Sequence, residues 1–264
     1  MTSDTRIETD AVAGPAAPRP SPRGDGSTCP TAAGRTGWTL VLLTSLGIAA
    51  FALSPYLTQS LAAGAESGSA IAATYATQPL AIQLAFYAHI VGGGIALVAG
   101  PFQFWRGLRA RHPKVHRWTG RVYLVAIAIG GLGGLVIAPV GDAGLAGLFG
   151  FGTLAVLWLV TGWRAYVAIR RRDVASHRAW MIRNFALTYS AVMLRIWLPL
   201  LIVAQVPFGS FDFGDAFENA YAAVPFLAWL PNLVVAEWII RRRGLPSYRL
   251  GVAPEARPAA QPAI

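Results

Sequence analysis

Six stretches of this chain run apolar for about twenty residues each, the length of helix that crosses the hydrocarbon core of a bilayer. They cover roughly 37–57, 80–104, 119–140, 145–169, 182–204 and 221–240. Inside a bilayer every backbone N–H and C=O must be satisfied within the segment, so such runs are helices. The sequence therefore predicts an all-α, polytopic membrane bundle with six transmembrane helices. Composition agrees: 55% of the 264 residues are apolar and only 13% are charged, about half the charged share of a soluble domain. The mean hydropathy is +0.48. Arg164 falls within the fourth run, where so long a side chain can reach back to the headgroups.

The flanks differ in kind. Residues 1–35 mix Thr, Ser, Pro, Gly and Ala with scattered charge, and 244–264 contains Pro246, Pro254, Pro258 and Pro262. Both read as disordered tails, leaving 36–243 as the membrane domain. The first apolar run opens near Trp38, too late for an ordinary signal peptide. Cys29 is the only cysteine, which excludes an internal disulfide and a cysteine-built metal site.

The formal net charge of +10 is distributed unevenly. The connections 56–79 and 205–220, and the turn at Asp142, hold no Lys or Arg; they carry Glu66, Asp142, Asp212, Asp215 and Glu218. Arg106, Arg109, Arg111, Lys114, Arg117 and Arg121 crowd one alternate connection, and Arg164, Arg170, Arg171, Arg172, Arg178 and Arg183 the next. Arg241, Arg242 and Arg243 follow the sixth run. The positive-inside rule places these basic flanks, and hence both termini, in the cytoplasm. There Arg117, Arg121, Arg178, Arg183, Trp118 and Trp180 are expected to meet anionic lipid headgroups and fix the topology. No aromatic-interleaved soluble module accompanies the charge, which argues against a nucleic-acid partner. Near the end of span six, Glu237 is expected to pair with Arg241, one turn on.

Within the spans, helical spacing gathers the polar residues on faces. In span five, His177, Asn184, Thr188, Ala191 and Arg195 form one stripe. In span two, His89, Gly93, Ala96, Gly100 and Gln103 do the same, with small residues that allow close helix approach. His116, Gly120, Tyr123, Gly130 and Gly134 share a side of span three. His89 and Arg195 both lie about 14 Å below the outer end of their spans. A buried polar site of Arg195, His89, Asn184, Thr188 and Gln103 follows, because a charge at that depth needs an interior partner or a ligand. Trp105-Arg106 before His116-Arg117-Trp118, and Trp163-Arg164 before His177-Arg178, also suggest two hairpins repeated in parallel.

These motifs carry a family resemblance. HIVGGGIALVAGPFQF (89–104), HRWTGRVY (116–123) and HRAWMIRNFAL (177–187) followed by Arg195 resemble the family catalogued as domain of unknown function 2306. The resemblance covers about 84–204. It implies that His89, Gln103, His116, Arg117, Gly120, Arg121, His177, Arg178, Trp180, Met181, Arg183 and Arg195 occupy family motif positions. It also implies a multi-pass protein of the bacterial cytoplasmic membrane.

Three classes of function compete. Histidines on different helices suit a b-type haem or quinone-linked electron carrier, with His116 and His177 as the axial pair and basic groups for the propionates. His89 lies more than about 20 Å from their level, which leaves no partner for a second bis-histidine haem; it remains a candidate ligand contact. A transporter or small-molecule binder would use Arg195 as counter-charge, and a structural, partner-stabilising protein needs neither. A lipid hydrolase is disfavoured, because the sequence holds no HExxH, GxSxG or paired-carboxylate motif.

Overall fold

A computed structural model describes residues 32–208 and 212–247. The described chain is helical: α1 (Ala32–Thr58), α2 (Leu61–Glu66), α3 (Ala70–Ala76), α4 (Leu80–Phe104), α5 (Arg106–Arg111), α6 (Pro113–Ile137), α7 (Gly144–Arg170), α8 (Val174–Thr188), α9 (Ser190–Gln205), α10 (Phe213–Leu227) and α11 (Leu230–Arg242). Six helical units are long and apolar enough to cross a membrane: Thr36–Thr58, Leu80–Phe104, Pro113–Val140, Gly144–Arg170, Val174–Gln205 and Phe213–Arg242. The protein is thus a six-span helical membrane bundle, as the apolar runs predict. The expected tails fall outside the described residues, except that α1 already begins at Ala32 and the chain is described to Ser247.

The third, fifth and sixth spans start well before their apolar runs, at Pro113, Val174 and Phe213. Caps and prolines, not hydrophobicity, set those starts. Pro113 occupies the first turn of α6, where its missing N–H costs nothing. Asp173 accepts the Ser176 N–H at 2.9 Å, and Asp212 accepts that of Asp215 at 3.0 Å, each satisfying an orphan donor of the helix it opens. His116 and His177 consequently sit in the first turns of α6 and α8.

Two spans are broken near mid-length. Between α8 and α9, Thr188 bonds back to the Asn184 carbonyl at 3.0 Å and Tyr189 closes the helix. Between α10 and α11, Pro231 cannot extend the ladder, while Trp229 Nε1 donates to the Pro225 carbonyl at 2.8 Å. The broken halves pack separately: α11 lies on α8, whereas α10 lies on α7 and α9.

The tightest packing joins α4 to α6. A Cβ at Gly92 would stand 2.7 Å from the Ala126 carbonyl and 2.8 Å from the Gly130 nitrogen. Only the absence of side chains lets the two backbones touch. Tyr123, Ile127, Trp158 and Leu187 fill the centre where α6, α7 and α8 meet. Leu132, Leu145, Val156, Leu200 and Val234 point outward, as lipid-facing residues of a membrane bundle do. At the non-basic end the connection 56–79 contains α2 and α3. Ser60 and Ser69 cap them, Tyr75 stacks on Phe86 with ring centroids 4.4 Å apart, and Thr74 donates to Asp142 at 2.6 Å.

Candidate functional site

The polar stripe of span five divides into two environments. Asn184 is fully buried. Its Nδ2 donates to the Trp158 carbonyl and to Thr161 Oγ1, both at 2.8 Å. Its Oδ1 accepts the Tyr123 hydroxyl at 2.8 Å. Thr188 Oγ1 receives Trp158 Nε1 at 2.9 Å and lies 3.0 Å from the Tyr123 oxygen. This network ties α6, α7 and α8 together and satisfies the groups that compose it, so it acts as a lock. Helical spacing puts Asn184 and Thr188 beside His89, Gln103 and Arg195; they bond instead with Tyr123, Trp158 and Thr161. Trp158 and Thr161 carry no motif signal, because their place depends on how α7 is rotated.

Arg195 lies beyond the break at Tyr189. Its Nη1 donates to the Ala191 carbonyl of its own helix at 2.8 Å, and its electrostatic neighbour is Tyr56 of α1. No bond joins it to His89 among the described residues. His89 Nδ1 instead meets the Gly130 carbonyl of α6 at 2.8 Å, while its ring approaches Trp158 edge-on at 6.5 Å. Residue counting from Asn184 to Arg195 assumes one uninterrupted helix, and span five is interrupted at Tyr189. Gln103 is buried separately and donates to Thr119 at 2.7 Å.

At the basic end, Arg183 is not a headgroup cation. It is 4% exposed and makes a two-pronged pair with Glu237 of α11, Nε to Oε1 at 2.5 Å and Nη2 to Oε2 at 3.0 Å. Glu237 therefore pairs across helices and not with Arg241. The buried guanidinium has the greater need of a counter-charge, and α11 packs directly on α8. The Arg183 cation also sits 4.8 Å over the Trp180 ring, which Arg164 approaches at 5.4 Å. Arg117, Arg121, Arg178 and Trp118 are exposed, as headgroup contacts would be.

Of the histidines at the basic end, His116 and His177 come near one another, and Arg109 and Arg117 are also near His116. His177 Nδ1 lies 2.9 Å from the Ala165 carbonyl. A carbonyl only accepts, so Nδ1 carries the proton and Nε2 keeps its lone pair. His116 Nδ1 is buried without a hydrogen-bond partner among the described residues. Arg109, between the spans on α5, is held below the usual arginine range by burial and then by the Arg178 and Arg106 cations. These guanidiniums and two imidazoles form a cation-rich cluster. Among the described residues no three His, Cys, Asp or Glu side chains gather as a metal-holding group.

A family model described as "Predicted membrane protein (DUF2306)" matches residues 86–240. The match extends past the resembling motifs through the sixth span, and so includes Glu237. No curated protein and no solved structure matches the chain.

Proposed function

The chain belongs to the DUF2306 family of predicted membrane proteins, and on that premise we propose that it is a b-type haem electron carrier of the bacterial cytoplasmic membrane. Its basic end faces the cytoplasm, and its iron ligands are His116 and His177. One observation carries the reading: His116 and His177 occupy the first turns of α6 and α8 at the same end of the bundle, the first with a buried ring nitrogen that has no partner among the described residues, the second with its Nδ1 on the Ala165 carbonyl. The residue types suit the group. A b-type haem needs two imidazoles, and a ligating histidine ordinarily gives its other ring N–H to a carbonyl or carboxylate. His177 does so through Ala165, while His116 has a buried ring nitrogen with no partner among the described residues. Arg109 and Arg178 are suited to propionates, because guanidinium pairs with carboxylate in a planar fork. When bound, haem supplies reversible one-electron chemistry; the chain holds the imidazoles at fixed positions and supplies the cations.

The test is the visible spectrum of the full-length protein, purified in detergent after expression with haem supplied. A Soret band and sharp reduced-state peaks are expected. His116→Ala and His177→Ala should each remove most of the absorbance, and His89→Ala should keep it. A haem-free wild-type spectrum, or two alanine variants with unchanged spectra, overturns the assignment.

A further inference from the structure

The groove between α7 and α8 at the basic end belongs to neither the Asn184 lock nor the histidine pair. It has a volume of about 370 Å³ and is lined by Trp163, Arg164, Arg171, Asp173, Ser176 and Trp180. That volume is within the range of small-ligand sites. Arg164 and Arg171 are exposed, and neither makes an ion pair among the described residues. Asp173 is already engaged as the cap of α8. Beside the groove, a smaller cavity of about 110 Å³ lies between Trp180, Arg183 and the chain that follows α11, at Pro246 and Ser247.

We propose that this groove binds the headgroup phosphate of an anionic phospholipid. Two guanidiniums that make no ion pair among the described residues match a phosphodiester, which they can grip in bidentate fashion. Two indoles stand at the same level, the usual depth of tryptophan at a membrane–water interface. The lipid source is favoured over free phosphate by what lies above the site. Trp163 is 65% exposed, and Val160 and Val156 continue an exposed apolar track up α7. Acyl chains can follow that track while the phosphate stays between Arg164 and Arg171. The site is independent of the haem reading and uses none of its residues.

Native mass spectrometry of the full-length protein from detergent micelles tests it, with phosphatidylglycerol, phosphatidylcholine or inorganic phosphate added. The wild type is expected to retain one phosphatidylglycerol in clear excess over phosphatidylcholine. Arg164→Gln/Arg171→Gln should bind it about thirtyfold more weakly, from the loss of two cations near the surface. Arg241→Gln/Arg242→Gln should bind it normally. Because Arg164 and Arg171 are exposed, their exchange leaves the fold intact, and a Trp-fluorescence melt verifies this; Arg171→Gln alone should show a smaller loss of the same kind. Equal retention of the two lipids overturns the proposal. So does an undiminished Arg164→Gln/Arg171→Gln variant, or an equal loss in the Arg241/Arg242 control, which would mean diffuse charge. Displacement of the lipid by millimolar phosphate would mark a free-anion site and also overturn it.

Discussion

Arg183 and Glu237 are unequal partners, and the inequality has measurable consequences. The arginine side chain is 5% exposed and the glutamate 36%. Removing the carboxylate takes the counter-charge from a buried cation, whereas removing the guanidinium leaves a carboxylate that water can reach. Glu237→Gln is expected to cost about 2–3 kcal/mol, below the range for a fully buried pair because water already reaches one end. Arg183→Met should cost less, and Arg183→Met/Glu237→Met less than the two losses added. Thermal or denaturant unfolding in detergent, followed by tryptophan fluorescence, measures this cycle. Additive losses would mean that the pair is not coupled.

At the scale of the element, glycine decides which helices touch. Gly92 and Gly93 are adjacent, yet they face different surroundings. A Cβ at Gly92 meets the backbone of α6 at 2.7–2.9 Å, while one at Gly93 meets nothing within 4 Å. Backbone cannot rotate aside as a side chain can, so Gly92→Val must push α4 and α6 apart. Gly92→Val should lose most of the monodisperse protein on size exclusion, and Gly93→Ala should behave as wild type. Equal behaviour would show that the α4–α6 contact is not the tight one. The hairpins α4–α6 and α7–α8 share their Trp-Arg and His-Arg motifs but differ in their links. The first contains α5, and the second is a tight turn with Arg172 at φ 61°.

For the whole molecule, charge is segregated by end. Basic residues gather around α5 and the α7–α8 turn, while Glu66, Asp142, Asp215 and Glu218 occupy the other end. The positive-inside rule predicts the basic end in the cytoplasm. With Cys29→Ser as background, Ser67→Cys and Ala110→Cys place exposed thiols at opposite ends. A membrane-impermeant reagent applied to intact cells with an opened outer envelope should label Ser67→Cys and leave Ala110→Cys untouched. The reverse pattern would invert the topology, and labelling of both would contradict an odd number of crossings between them.

The number of spans and the segregation of charge were legible in the sequence because both are additive along the chain. Each residue contributes its own transfer free energy, and a run of about twenty needs no knowledge of its neighbours in space. The small residues of α4 were legible only in part: the helical stripe through His89 and Ala96 includes Gly93, where a Cβ would meet nothing, while its neighbour Gly92 makes the close approach to α6. Partner choice was not legible. His89 meets Gly130 and not Arg195; Arg183 takes Glu237; Asn184 joins Tyr123, Trp158 and Thr161. Each depends on the rotation of one helix against another and on breaks at Tyr189 and Trp229, which residue spacing along an ideal helix does not contain. A buried polar group bonds to whatever the packed backbone brings within about 3 Å, and only the tertiary structure sets that.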